Sequence, residues 1–136
     1  MFNPYMEEKI WGRALHVFAS THAAVSCLEV REGFQCSRHY HQHRVNLFAV
    51  QSGVVVIETW FGDDVDIKIL NPGDTCAVGS GVLHRFRVLQ SGKMTEVYWP
   101  DHQGEMVQSD DIIRLDTGSA FDLDDFREEL GRNGLL

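Results

Sequence analysis

Apolar and polar positions alternate with a period of two over much of this chain. Such a pattern sends alternate side chains to opposite faces of a β-strand. Residues 66–70 (DIKIL) show it most cleanly and predict a half-exposed strand. Residues 84–89 (HRFRVL) repeat it, with His84, Phe86 and Val88 on one face and Arg85, Arg87 and Leu89 on the other. Residues 23–30 (AAVSCLEV) predict a strand whose Ala24, Ser26, Leu28 and Val30 share a face. WGRALHVFAS reads as the first strand, after a polar lead-in over residues 1–9. Further strands are expected over 35–41, 46–51, 54–61, 75–78 and 94–99, with a short edge strand at Ile112-Ile113. Turn chemistry separates them at Glu32-Gly33, Ser52-Gly53, Gly62-Asp63-Asp64, Asn71-Pro72-Gly73-Asp74, Gly79-Ser80-Gly81 and Ser91-Gly92.

The period changes only near the C-terminal end. In FDLDDFREEL, Leu123, Phe126 and Leu130 fall at helical spacing, and acids crowd the first turn, where the helix dipole favours them. Ser119 with Asp122 reads as a capping box and Gly131 as a C-cap. Many short strands followed by one helix over about 121–131 predict an all-β antiparallel sandwich or barrel. The 136 residues are expected to form a single domain, 1–136.

Charge and cysteine usage narrow the function classes. A formal net charge of −8, with no Lys/Arg run, argues against nucleic acid and against an anionic membrane as the main partner. Cys27, Cys36 and Cys76 form neither a disulfide framework nor a thiolate zinc site, which points to a reducing, cytoplasmic setting. The opening residues lack the basic-then-apolar pattern of a secretory signal, and the apolar runs are too short to span a bilayer.

Candidate chemistry gathers in one stretch, GFQCSRHYHQHRVNLFAVQSG, residues 33–53. His39, His41 and His43 occupy every second position, so a regular strand would aim all three imidazoles one way. Imidazole is the commonest side-chain metal ligand near neutral pH. By the same parity Cys36 would point outward.

Two spacings suggest a known family. In the first, Gly33, His39, His41, Asn46 and Gly53 are separated by five, one, four and six residues; in the second, Gly73, Gly79, Gly81 and His84 are separated by five, one and two. These resemble the two motifs of the cupin superfamily. The resemblance implies a double-stranded β-helix, or jelly roll, over about residues 9–116, with one divalent transition metal (Zn, Mn, Ni or Fe) inside. It also implies His39, His41, Asn46 and His84 as metal ligands. Asn46 stands where the family has a glutamate, Gly79 where it has a proline and Val88 where it has an asparagine. A neutral amide is a weaker ligand than a carboxylate, which leaves room for His43 as a substitute.

Lys9-Ile10-Trp11-Gly12, His41-Gln42-His43-Arg44, Gly81-Val82-Leu83-His84-Arg85, Thr95-Glu96-Val97 and Asp110–Leu115 resemble, in order and spacing, segments of the barrel domain of type II mannose-6-phosphate isomerases. In that family a glutamine usually sits at the His39 position. The resemblance implies a sugar phosphate as small-molecule substrate. Aldose–ketose isomerisation needs a Lewis acid at the carbonyl and a base to move a proton. Glu96 is the candidate base, on a strand expected to neighbour that of His84, with His43 second. Arg44 is the candidate phosphate ligand. Arg38, Arg85 and Arg87 alternate away from the histidines, towards solvent or a partner subunit. Two rival functions are a non-haem metal-dependent oxygenase and a non-catalytic sugar-binding cupin. Trp11, Trp60 and Trp99 are expected to pack core or rim. Covering one sheet edge and one apolar face is expected to need a homodimer.

Overall fold

The computed structural model describes residues 2–102, 106–108 and 110–136. The strands are β1 (Tyr5–Lys9), β2 (Gly12–Ala19), β3 (Ala24–Val30), β4 (Phe34–Gln35), β5 (His39–Tyr40), β6 (Arg44–Phe61), β7 (Asp64–Leu70), β8 (Thr75–Val78), β9 (Leu83–Pro100), β10 (Ile113–Arg114) and β11 (Ser119–Ala120). One helix, α1 (Leu123–Arg132), follows. Every strand pairing is antiparallel.

Two 18-residue strands, β6 and β9, pair along nearly their whole lengths and belong to both walls of the barrel. In one wall, β1, β2, β3, the C-terminal half of β9, the N-terminal half of β6 and β8 lie side by side. In the other, the N-terminal half of β9 and the C-terminal half of β6 are flanked by β4, β5 and β7. The walls meet where the β6–β9 register shifts, between Val50 and Val55. A Cβ on Gly92 would lie 2.0 Å from the Ser52 carbonyl oxygen, and one on Gly53 2.5 Å from that of Gln90. Only glycine lets two backbones cross this closely. Ser52-Gly53 and Ser91-Gly92, expected as turns between separate strands, are therefore the bend inside two continuous ones.

Trp11, Phe48, Val55, Ile57, Phe86, Val88 and Met94 fill the space between the walls. Trp11 packs edge-on against Phe86, ring centroids 5.0 Å apart. Ser26, Leu28 and Val30 face inward, in the expected register.

Other sequence-based expectations also fail. The polar lead-in contains β1, which the hairpin at Ile10-Trp11 joins to β2. The histidine strand is split into β4 and β5, because these short pieces pair with β11 and β10 from the C-terminal segment. The break resets side-chain parity, so Cys36 is buried, with burial pushing its thiol up to about 12. Arg85 and Arg87 do not face solvent: Arg85 Nε donates to Glu58 Oε1 at 2.9 Å, and the Arg87 guanidinium lies 3.6 Å from the Phe126 ring centroid. Finally, Ser119 is taken up in β11, and Asp122 caps α1 by accepting from Asp125 N at 3.0 Å. The helix also runs through Gly131 to an Asn133 C-cap. Phe126 and Leu130 bury the helix against Val56 and Leu89 on the outside of the barrel.

Candidate metal centre

Strand pairing assembles the histidines. His39 of β5 and His84 of β9 are direct cross-strand partners. His41 follows β5, and Asn46 lies near the start of β6. Nδ1 of His39 donates to the Ser37 carbonyl at 2.8 Å, that of His41 to the Asp111 carbonyl at 2.5 Å and that of His84 to the Val82 carbonyl at 2.9 Å. A carbonyl can only accept, so each Nδ1 carries the proton and each Nε2 presents a lone pair. One ring nitrogen from each histidine lies within 4.8 Å of those of the other two. Burial, aided by neighbouring positive charge, lowers His39 and His41 to about 3, and burial lowers His84 as well. All three are neutral at pH 7, the form that ligates.

The donor set fits a transition-metal cation. His84 Nε2 and Asn46 Oδ1 are buried with no hydrogen-bond partner. Each such orphan costs about 1–3 kcal/mol, and a cation at the cluster would satisfy His84 Nε2. As oriented, Asn46 Nδ2 donates to Glu96 Oε2 at 3.3 Å and lies 3.2 Å from His41 Nε2. A half-turn of the amide presents Oδ1 instead. Three imidazoles with open positions suit zinc, iron or nickel without selecting one.

A cavity of about 310 Å³ opens onto this cluster, with His39 and Glu96 in its wall. Glu96 lies on β9, the strand of His84 itself, in the half that belongs to the opposite wall. Burial pushes its carboxyl above the ordinary range, and the Tyr98 hydroxyl and Asn46 amide pull partly against this by donating to it. Burial and the neighbouring Glu96 raise Tyr98, which stays a phenol. Arg44 lines the same cavity, only 8% exposed. It donates to the Gln108 carbonyl at 3.1 Å and stacks 3.9 Å over the Tyr98 ring, while its Nε has no partner.

His43 is not brought to the cluster. The bend at residues 41–43 ends the two-residue period, and His43 is exposed. The Asp111 carboxylate holds this bend, accepting from Gln42 N at 2.8 Å and His43 N at 2.9 Å. Sequence reasoning gave Asp111 no role beyond its place in the Asp110–Leu115 segment, although it orients His41 and the bend together. It also missed Tyr98, although period-two parity puts Tyr98 on the face of Glu96.

The sequence matches no family profile and no curated protein. The structure is similar to oxalate decarboxylase from Bacillus subtilis, with 16% identity and a TM-score of 0.69 over 83% of this chain and 30% of that one. It is similar to the capsular polysaccharide assembling protein CapF from Staphylococcus aureus, with 18% identity and a TM-score of 0.68 over 86% of this chain and 35% of that one. Oxalate decarboxylase from Lactobacillus farciminis, in a formate complex, gives 18% and 0.68 over 83% of this chain and 34% of that one. The chain thus spans about a third of the length of these proteins. The fold is the jelly-roll barrel of the cupins. Within that fold His39, His41 and His84 form a buried cluster that could hold a metal ion. No helix among the described residues is long and apolar enough to cross a membrane.

Proposed function

We propose that this chain is a metal-dependent isomerase that moves a proton between adjacent carbons of a small sugar or sugar phosphate, in the manner of a mannose-6-phosphate isomerase. The observation that carries the reading is Glu96, a carboxyl held above its ordinary range on the cavity wall and joined to the histidine cluster through Asn46. A divalent transition metal held by His39, His41 and His84 would polarise a carbonyl, with Asn46 left donating to Glu96. Glu96 takes the proton from one carbon and returns it to the next. The Tyr98 hydroxyl, donating to Glu96, aims the carboxylate. Arg44 binds the anionic end of the substrate; among the described residues no carboxylate forms an ion pair with it. An odd count of free cysteines supports a cytoplasmic setting, and the working form is a homodimer.

The test uses protein purified without chelator. Its metal content is resolved by element, and turnover is followed with aldoses and their phosphates in deuterated water. Deuterium should appear at the carbon next to the carbonyl, with no oxygen uptake. Glu96→Gln should keep the metal and lose turnover by roughly 10²–10⁴-fold. A loaded protein that exchanges no carbon-bound hydrogen, or a Glu96→Gln variant at the parent rate, would overturn the reading.

A further inference from the structure

Besides its histidines, the cavity beside the metal cluster is lined by five ionisable side chains of Lys, Arg and Glu: Glu7, Lys9, Arg44, Glu96 and Arg114. Two of them cancel, with Lys9 Nζ 3.0 Å from Glu7 Oε2. Glu96 is taken up by hydrogen bonds from Asn46 and Tyr98. Arg44 and Arg114 are left, and among the described residues neither forms an ion pair. Arg13, Arg38, Arg85, Arg87 and Arg132, by contrast, each lie within 4.0 Å of a carboxylate. Arg31 and Arg127, which also lack one, lie outside this cavity. Asp and Glu outnumber Lys and Arg by 20 to 12. A shortage of carboxylates therefore does not explain two guanidiniums facing one cavity unpaired.

The two are brought in by different elements and to different depths. Arg44 opens β6 and is buried; one of its terminal nitrogens is spent on the Gln108 carbonyl, and its Nε has no partner. Arg114 lies on β10, directly across from His39 of β5, and is exposed where it borders the cavity. After burial, Arg44 and, with a smaller effect, Arg114 help to hold His41 neutral, which puts both guanidiniums within electrostatic reach of the cluster. A guanidinium stays charged at any working pH, and its planar fork matches a carboxylate or a phosphate. A ligand with one acidic group would take it to Arg44, where pairing relieves a desolvated donor. Arg114 would still face the cavity unpaired, so the two positions together call for two acidic groups on one molecule.

We propose that Arg114 is a second anion ligand of this cavity, and that the molecule bound there carries two acidic groups, such as a phosphate and a carboxylate, on one sugar-sized skeleton. The inner group pairs with Arg44 and the outer with Arg114. The assignment rests on the sugar-phosphate reading for Arg44 and narrows its substrate class. The test reads binding rather than turnover. Glucose 1-phosphate and glucuronic acid 1-phosphate differ by one carboxylate, and both are blocked at the anomeric carbon, so neither isomerises. Isothermal titration at fixed ionic strength should give the doubly acidic probe about 10- to 100-fold the affinity of the singly acidic one. Arg114→Gln should abolish that preference and leave glucose 1-phosphate binding unchanged. Arg114→Lys should keep part of it, because the charge stays while the fork is lost. Equal affinity of the wild type for the two probes, no binding of either, or an Arg114→Gln variant that weakens both alike would overturn the proposal. Failure of the isomerase reading shows separately, as no turnover of aldose phosphates while the preference for the doubly acidic probe persists.

Discussion

Two polar clusters are buried back to back in this barrel, on the same pair of strands. Thr59 pairs with His84 and Glu58 with Arg85, so one step along β6 and β9 passes from the inner cluster to the outer. The outer one pairs its charges within the fold and leaves Arg87 Nε without a partner. Glu58 takes Arg85 at 2.8 Å, Arg87 approaches it at 3.8 Å, and Phe121 and Phe126 cover Arg87 at 4.4 and 3.6 Å. In the inner one, His84 Nε2, Asn46 Oδ1 and Arg44 Nε all lack partners. Burial alone therefore does not mark a functional site. What separates the clusters is the kind of group left over: the outer one leaves a donor, Arg87 Nε, near the Glu58 carboxylate, whereas the inner one leaves two acceptors, His84 Nε2 and Asn46 Oδ1, for something brought from outside.

The sharpest way to break the comparison is His84→Ala. It should lower metal affinity by at least about 10³-fold, as expected when one of three strong ligands is lost. The fold should survive, because the orphaned nitrogen leaves with the side chain; isothermal titration with zinc beside near-UV circular dichroism checks both. Glu58→Ala should do the reverse. Stranding Arg85 should cost roughly 3–5 kcal/mol in urea unfolding, with metal stoichiometry unchanged. A Glu58 variant of normal stability, or one that loses the metal, would erase the distinction.

A smaller effect concerns pH. The unfolded chain binds protons near the ordinary histidine value of 6.5, whereas folded His39 and His41 resist until about 3. Between these values the unfolded state holds more protons, so stability falls as pH falls. Metal-free protein should lose on the order of 1 kcal/mol per buried imidazole between pH 7 and 5.5. Denaturant midpoints across that range measure it, and a flat profile would mean that the imidazoles take up protons in the fold as readily as in the unfolded chain.

How much of this was legible in the sequence depended on distance along the chain. His39, His41 and His84 could be read because each sits beside its own turn signal, and strand parity then does the rest. The order of most strands was legible for the same reason. The split between β4 and β5 was not, since it comes from pairing His39 with Arg114 and Phe34 with Ala120. His43 was misplaced because the bend that ejects it is held by Asp111, 68 positions further along the chain. Arg85 and Arg87 looked solvent-facing because alternation describes a bare sheet, and a helix some 40 residues on covers this one.

The bond from His41 to the Asp111 carbonyl spans 70 positions, and β5 is flanked by β10 from the same late segment. A nascent chain leaving the ribosome can thus build β6 against β9 while His41 still lacks its carbonyl partner and β5 its flanking strand. Truncation before residues 111–114 would remove the carbonyl that orients His41 and the strand that flanks His39.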